Sequence, residues 1–390
     1  MRVEQIYQLV NSITEEVIGK SEIIEKDLSN VVDIGKEIFS ATSVDNYVKS
    51  LVNHIGKVIF VNRIYAGSAP SILMDSWEFG SVVEKISVGL FDAEENPAWD
   101  LVDKRSYDPN VFYQPKVTAK FFNSKDTFSI NVSITERQVK ESFSSADQLN
   151  SFISTIYNSV ENSITIKVDG LIRSTINNMT AQTLNNEASS GTYTGRTGNK
   201  AVNLLKLYND ATGNSLEVGK ALTTPEFIRF ASMTMANYMD RLRTPSTLFN
   251  VGSTVKFTPN DRLHVVMLSE FKNAANAYLQ SDTFHNEYTA LPNAETVAYW
   301  QGSGTDYTFS STSKISVTIK TGEGVGATKT ISCEGILGVM FDRDALGVTN
   351  LERRVTSQYN PVGEFYTNFY KFEAGYFNDL NENFVVFYIA

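Results

Sequence analysis

Cysteine is nearly absent from this 390-residue chain. Cys333 stands alone, so no disulfide can form within one copy, which suits a reducing compartment. Histidine is also scarce: His54, His264 and His285 lie far apart, and none has a metal-spaced partner at i+3 or i+4, so no metal site is expected. Long apolar runs are missing. Nothing approaches the ~18 consecutive apolar residues of a spanning helix, and Glu4 and Glu15 interrupt the apolar positions at the N-terminus, where a signal peptide needs continuity. The expectation is a product made in the cytoplasm and not inserted in a membrane. Positive charge is in deficit as well, with Lys plus Arg at 34 against Asp plus Glu at 44 and a net charge of −10. Tight sequence-independent nucleic-acid binding is driven by Lys and Arg displacing counterions, so that class is disfavoured.

Hydrophobic residues make up 42% of the chain, enough for real cores, and at roughly 150 residues per domain the length allows two or three. Residues 1–60 read as short helices, with Val3, Ile6, Leu9, Val10, Ile13 and Val17 at helical spacing. From Thr127 the pattern changes to strict alternation, with Phe128, Ile130, Val132 and Ile134 apolar, the mark of a half-buried strand. The run Val117 to Phe122 is its expected partner, giving a long two-stranded excursion. A free hairpin is marginal in water, which hints at contact with another subunit.

The clearest element starts at Ser145, where Ser145 and Gln148 fit a capping box. Leu149, Ile153, Val160, Ile164, Val168, Ile172 and Ile176 then keep to one stripe, predicting a helix of roughly 30 residues. Residues 186–200 are small and polar and read as a loop. Beyond them, a helix opens at Thr224-Pro225-Glu226, a strand covers Leu263 to Leu268, and a second helix covers Phe271 to Leu279. Residues 313–333 read as a hairpin, and 353–390 as aromatic strands ending at Phe384 to Ile389. Helix and strand mixed without a βαβ repeat give an α+β fold. The C-terminal aromatics, Phe365 through Tyr388, carry only Lys371 among them as a base. They read as core or subunit contact, not as a stacking surface for single-stranded nucleic acid.

Catalytic chemistry finds little support. The segment Gly322 to Thr330 resembles a phosphate loop, but Thr328 stands where a Walker motif needs glycine before Lys329. No Gly-x-Ser-x-Gly elbow exists, Cys333 has no nucleophile signature, and Asp342-Arg343-Asp344 reads as a salt-bridged edge. No catalytic, cofactor-binding or metal-binding residue is assigned, and the chain is expected not to be an enzyme.

The order of parts resembles the Hong Kong 97 fold of tailed-phage capsid proteins. Val32 to Ile38, Asn46 to Phe60, Phe152 to Val160, Gly335 to Asp344 and Tyr359 to Tyr370 look similar to segments of small podophage head proteins. The resemblance implies an N-terminal arm over 1–70, an extended β-hairpin (the E-loop) over 71–135 and a P-domain with a spine helix over 136–200. An A-domain over 201–350 and C-terminal strands returning to the P-domain over 351–390 would complete it. It further implies a major capsid protein that assembles with itself into hexamers and pentamers, with portal and scaffolding proteins as partners. The icosahedral or prolate shell would enclose double-stranded DNA without specific binding, in a virion assembled in the host cytoplasm. Trp77, Phe79, Phe112 and Tyr113 are the expected intersubunit anchors, being of the types enriched in interface cores. The alternatives are an encapsulin-like nanocompartment and, from another class, an unrecognised hydrolase.

Overall fold

A computed structural model describes residues 70–74, 83–88, 101–110, 117–187, 197–281, 294–302, 307–321 and 327–390, with isolated positions elsewhere. In the first sixty residues the described positions include helical Val10 to Thr14, with Val10 and Ile13 buried. Tyr7, Gln8, Asn30, Val32 and Ser50 are described besides, and the other positions of that arm lie outside the described residues.

The strands are β1 (Leu73–Met74), β2 (Val83–Val88), β3 (Val117–Phe122), β4 (Lys125–Thr135), β5 (Ala201–Asn203), β6 (Leu263–Leu268) and β7 (Glu295–Val297). They continue as β8 (Ile315–Lys320), β9 (Thr328–Cys333), β10 (Ile336–Asp342), β11 (Leu346–Asn360), β12 (Phe365–Asn378) and β13 (Phe384–Tyr388). The helices are α1 (Glu136–Ser142), α2 (Ala146–Glu187), α3 (Leu204–Thr212), α4 (Val218–Ala221), α5 (Pro225–Leu242), α6 (Ser269–Ser281) and α7 (Phe309–Thr312).

Helix α2 is the spine of the molecule. It runs for 42 residues, ~63 Å at about 1.5 Å per residue, and is therefore longer than its sequence predicts. The added turns are rich in Thr and Asn, poor helix formers that compete for backbone hydrogen bonds. Here that competition is settled inside the helix. The hydroxyls of Thr175, Thr180 and Thr183 donate to the carbonyls of Leu171, Ile176 and Met179 at 2.8–2.9 Å, so they can be buried while Met179 and Leu184 prolong the stripe. At the start, the Ser145 hydroxyl accepts from the Gln148 backbone N–H at 3.1 Å. The Gln148 side chain is taken by Ser144 instead of closing the box. A complete capping box forms one helix earlier, between Thr135 and Gln138 at the start of α1.

Two sheets pack around this helix. One has the order β1-β11-β12-β4 and the other β5-β13-β10-β6-β7. The alternation in β4 does mark a strand, but its partner is β12, with Phe365 opposite Thr135 and Phe372 opposite Phe128. The run Val117 to Phe122 pairs instead with β2. The two-stranded excursion is thus β2–β3, and β4 belongs to the body, where its apolar face covers the core. A hairpin of β8 and β9 also forms as expected, with Ile315 opposite Cys333.

The second sheet is buried on both faces, which is why β10 and β13 read as continuous apolar runs. Val339, Phe341, Phe384 and Val386 face the core shared with α2. Leu337, Met340, Val385 and Phe387 face a second core built by α3, α5 and α6. The last strand, β13, lies in this second sheet between β5 and β10, while β11 and β12 form the first. Strands β6 and β7 run parallel on either side of α6 in sequence, a single crossover within an α+β architecture. The C-terminal aromatics are core: Tyr370, Phe372, Phe384, Phe387 and Tyr388 are all buried.

Candidate assembly surface

The β2–β3 hairpin stands outside both sheets and connects to the body through Asn123 and Ser124. Cross-strand partners share a face. Lys85 opposes Lys120 and Ser87 opposes Thr118 on one side; on the other, Glu84 meets Phe121, Ile86 meets Ala119 and Val88 meets Val117.

The lysine side faces the body. Lys120 Nζ lies 2.7 Å from Asp379 Oδ1, and Lys85 Nζ lies 2.9 Å from Asp379 Oδ2 and 2.6 Å from Glu382 Oε1. Lys85 also donates to the Asp344 carbonyl at 3.2 Å. From the α5–β6 connection, Lys256 reaches the same Glu382 oxygen at 2.8 Å. Next to them Arg262 pairs with Asp342 and Asp344. Asp379 and Glu382 are buried in the β12–β13 turn, and the Phe122 ring packs on Phe377 at 5.2 Å. Burial alone raises a carboxyl, but hydrogen bonds from Lys120 and Lys85 prevail and hold Asp379 below its ordinary range. Burial would likewise lower Lys85, yet its bonds to Glu382 and Asp379 hold it above the ordinary lysine value.

The opposite side is exposed and, apart from Glu84, apolar. Ile86, Val88, Val117 and Phe121 leave 63, 57, 57 and 65% of their surface to solvent. They share one face of the two-stranded ribbon, and exposed apolar residues so grouped are of the kind that marks an interaction site. Of the four anchors expected from sequence, Phe112 is 84% exposed, while Trp77, Phe79 and Tyr113 lie outside the described residues. Sequence reading missed the lysine–carboxylate junction, whose members come from four separate stretches. It also missed Ile86 and Phe121, because the strand pairing it assumed was a different one.

Cys333, His264 and Asp342 are tied into the structure. Cys333 is buried, and burial pushes its thiol up to about 12. His264 stacks on Phe341 with ring centroids 5.5 Å apart, and burial holds it below its ordinary value. His54 and His285 lie outside the described residues. Asp342 and Asp344 form no open carboxylate pair, since Arg262 pairs with both and Asp342 Oδ1 accepts from the Asp344 backbone N–H at 2.9 Å. Among the described residues, no group of His, Cys, Asp or Glu is placed to hold a metal ion, and no helix is long and apolar enough to cross a membrane.

A long helix under a strand layer, a second sheet and an outlying two-stranded ribbon make up a Hong Kong 97-like fold. The capsid structure of Staphylococcus phage Andhra is similar, with a TM-score of 0.52 at 11% identity over 84% of this chain and 86% of that one. The capsid of Cyanophage P-SCSP1u aligns with a TM-score of 0.46 at 13% identity over 85% of this chain and 92% of that one. Among curated proteins none matches the sequence. The family of Phi29-like phage major capsid proteins matches residues 10–388, and the chain belongs to it. It is a shell-forming structural protein.

Proposed function

We propose that this chain builds the head shell of a tailed phage from capsomers of six and five copies, with the β2–β3 hairpin as an arm laid on a neighbouring copy. The observation that carries this is the division of the hairpin into a lysine face held by the body and an apolar face left exposed. Phe112, at 84% exposure, extends the apolar contact beyond the strands, and Trp77, Phe79 and Tyr113 are proposed to add to it. The family assignment supports a role without catalysis, cofactor or metal. The domain division stays as read from sequence, except that residues 125–135 go with the body and the last strand with the A-domain sheet. Portal and scaffolding proteins are the further partners, assembly takes place in the host cytoplasm, and the shell ends in the virion. Its acidic balance, −10 per copy, keeps enclosed double-stranded DNA from adhering to the wall.

The test is co-expression with neighbouring genes, followed by particle purification and nuclease treatment. Nuclease-protected double-stranded DNA in the particles is the expected result. Particles holding a cargo enzyme and no DNA would assign the shell to the encapsulin-like alternative.

A further inference from the structure

We infer that the lysine–carboxylate junction at the hairpin root sets the pitch of the β2–β3 arm within the single chain, so that its apolar face is aimed before subunits meet. This rests on the reading of the hairpin as an assembly arm. Lys85 and Lys120 sit directly opposite each other on one face of a two-stranded ribbon. Like charges so placed destabilise a free hairpin, which is marginal to begin with. Both ammonium groups close on one carboxylate, Asp379, and Lys85 adds Glu382. Lifting the arm therefore leaves two lysines facing each other and takes from Asp379 both of its lysines and from Glu382 one of two, Lys256 remaining. The Phe122 ring, packed on Phe377 with centroids 5.2 Å apart, adds an apolar contact at the same root. A seated arm is pre-organised, and pre-organisation removes an ordering cost from association.

The experiment compares the wild-type full chain with Lys85→Ala/Lys120→Ala, using amide hydrogen exchange on dilute, unassembled protein and the concentration at which shells form. Expected is at least about a tenfold faster exchange at 83–88 and 117–122, with β10, β13 and α2 still protected, and a higher assembly concentration. Unchanged hairpin exchange with a protected body would overturn the inference. Faster hairpin exchange with unchanged assembly would uphold the latch, overturn the reading of the hairpin as an assembly arm, and remove the aiming role with it. If the double variant also loses protection in β10 and β13, the single Lys120→Met, which keeps the aliphatic stem and the Lys85 pair, is read by the same two measurements.

Discussion

Replacing Phe121 by serine isolates the exposed face of the hairpin from everything that folds the chain. The ring leaves 65% of its surface to water and lies on the side away from Asp379 and Glu382. With ~200 Å² for a whole aromatic side chain, ~130 Å² remains to be covered, worth ~3 kcal/mol at about 25 cal/mol per Å². Complete covering therefore corresponds to about a hundredfold change in affinity per contact, and half covering to about tenfold. Every copy carries the same change, so a closed shell multiplies the loss over its contacts. The assay is light scattering or sedimentation across a concentration series, with circular dichroism and thermal unfolding as controls. The expected result is an assembly concentration raised at least about tenfold, with stability held within about 0.5 kcal/mol as for other exposed sites. A shift under about twofold, with the fold intact, would refute the reasoning that places this face between subunits.

Other consequences follow from the interior. Gly335 has φ +80°, and a Cβ there would run into the Ile389 carbonyl oxygen; Gly335→Ala should cost at least ~2 kcal/mol through left-handed strain and that clash, read as a lower denaturant midpoint. Trp300 is buried, with its indole N–H donating to the Ile336 carbonyl at 2.9 Å; Trp300→Ala should lose ~3–5 kcal/mol in the same assay. Cys333, pushed up to about 12 by burial, should resist thiol reagents at pH 8 in the native chain and react once the chain is denatured. Asp379 is held below its ordinary value, so its contribution is complete above the carboxyl's unfolded pKa and fades only as pH falls through the lower folded one. Lys85 is held above its ordinary value, so its contribution is complete below the lysine's unfolded pKa and fades as pH rises through the higher folded one. A spin-label pair spanning hairpin and body should report one distance throughout the interval and a change beyond either end.

The fold was legible wherever a single stretch carries its own period. The stripe of α2, the Pro225 start of α5, the β8–β9 hairpin and the apolar runs of β6 and β13 all follow local rules. What escaped was pairing across distance. The alternation of β4 is equally compatible with β3 or β12 as partner, and only the closure of the β11–β12–β4 layer over α2 selects β12. The length of α2 escaped because threonine reads as a helix breaker until its hydroxyl is seen bonded back to the preceding turn. The root junction gathers Lys85, Lys120, Lys256, Asp379 and Glu382 from across nearly three hundred residues, and no spacing rule announces it. The proposed assembly surface was legible only as a type, aromatic side chains on an excursion; Ile86 and Phe121 became visible once the register of β2 and β3 was known.

The most direct test of the central claim is negative-stain electron microscopy of the purified full chain over a concentration series, alone and co-expressed with neighbouring genes. Closed shells, or rings of six and five copies, are the predicted result. A chain that stays monomeric under every one of these conditions would contradict the account.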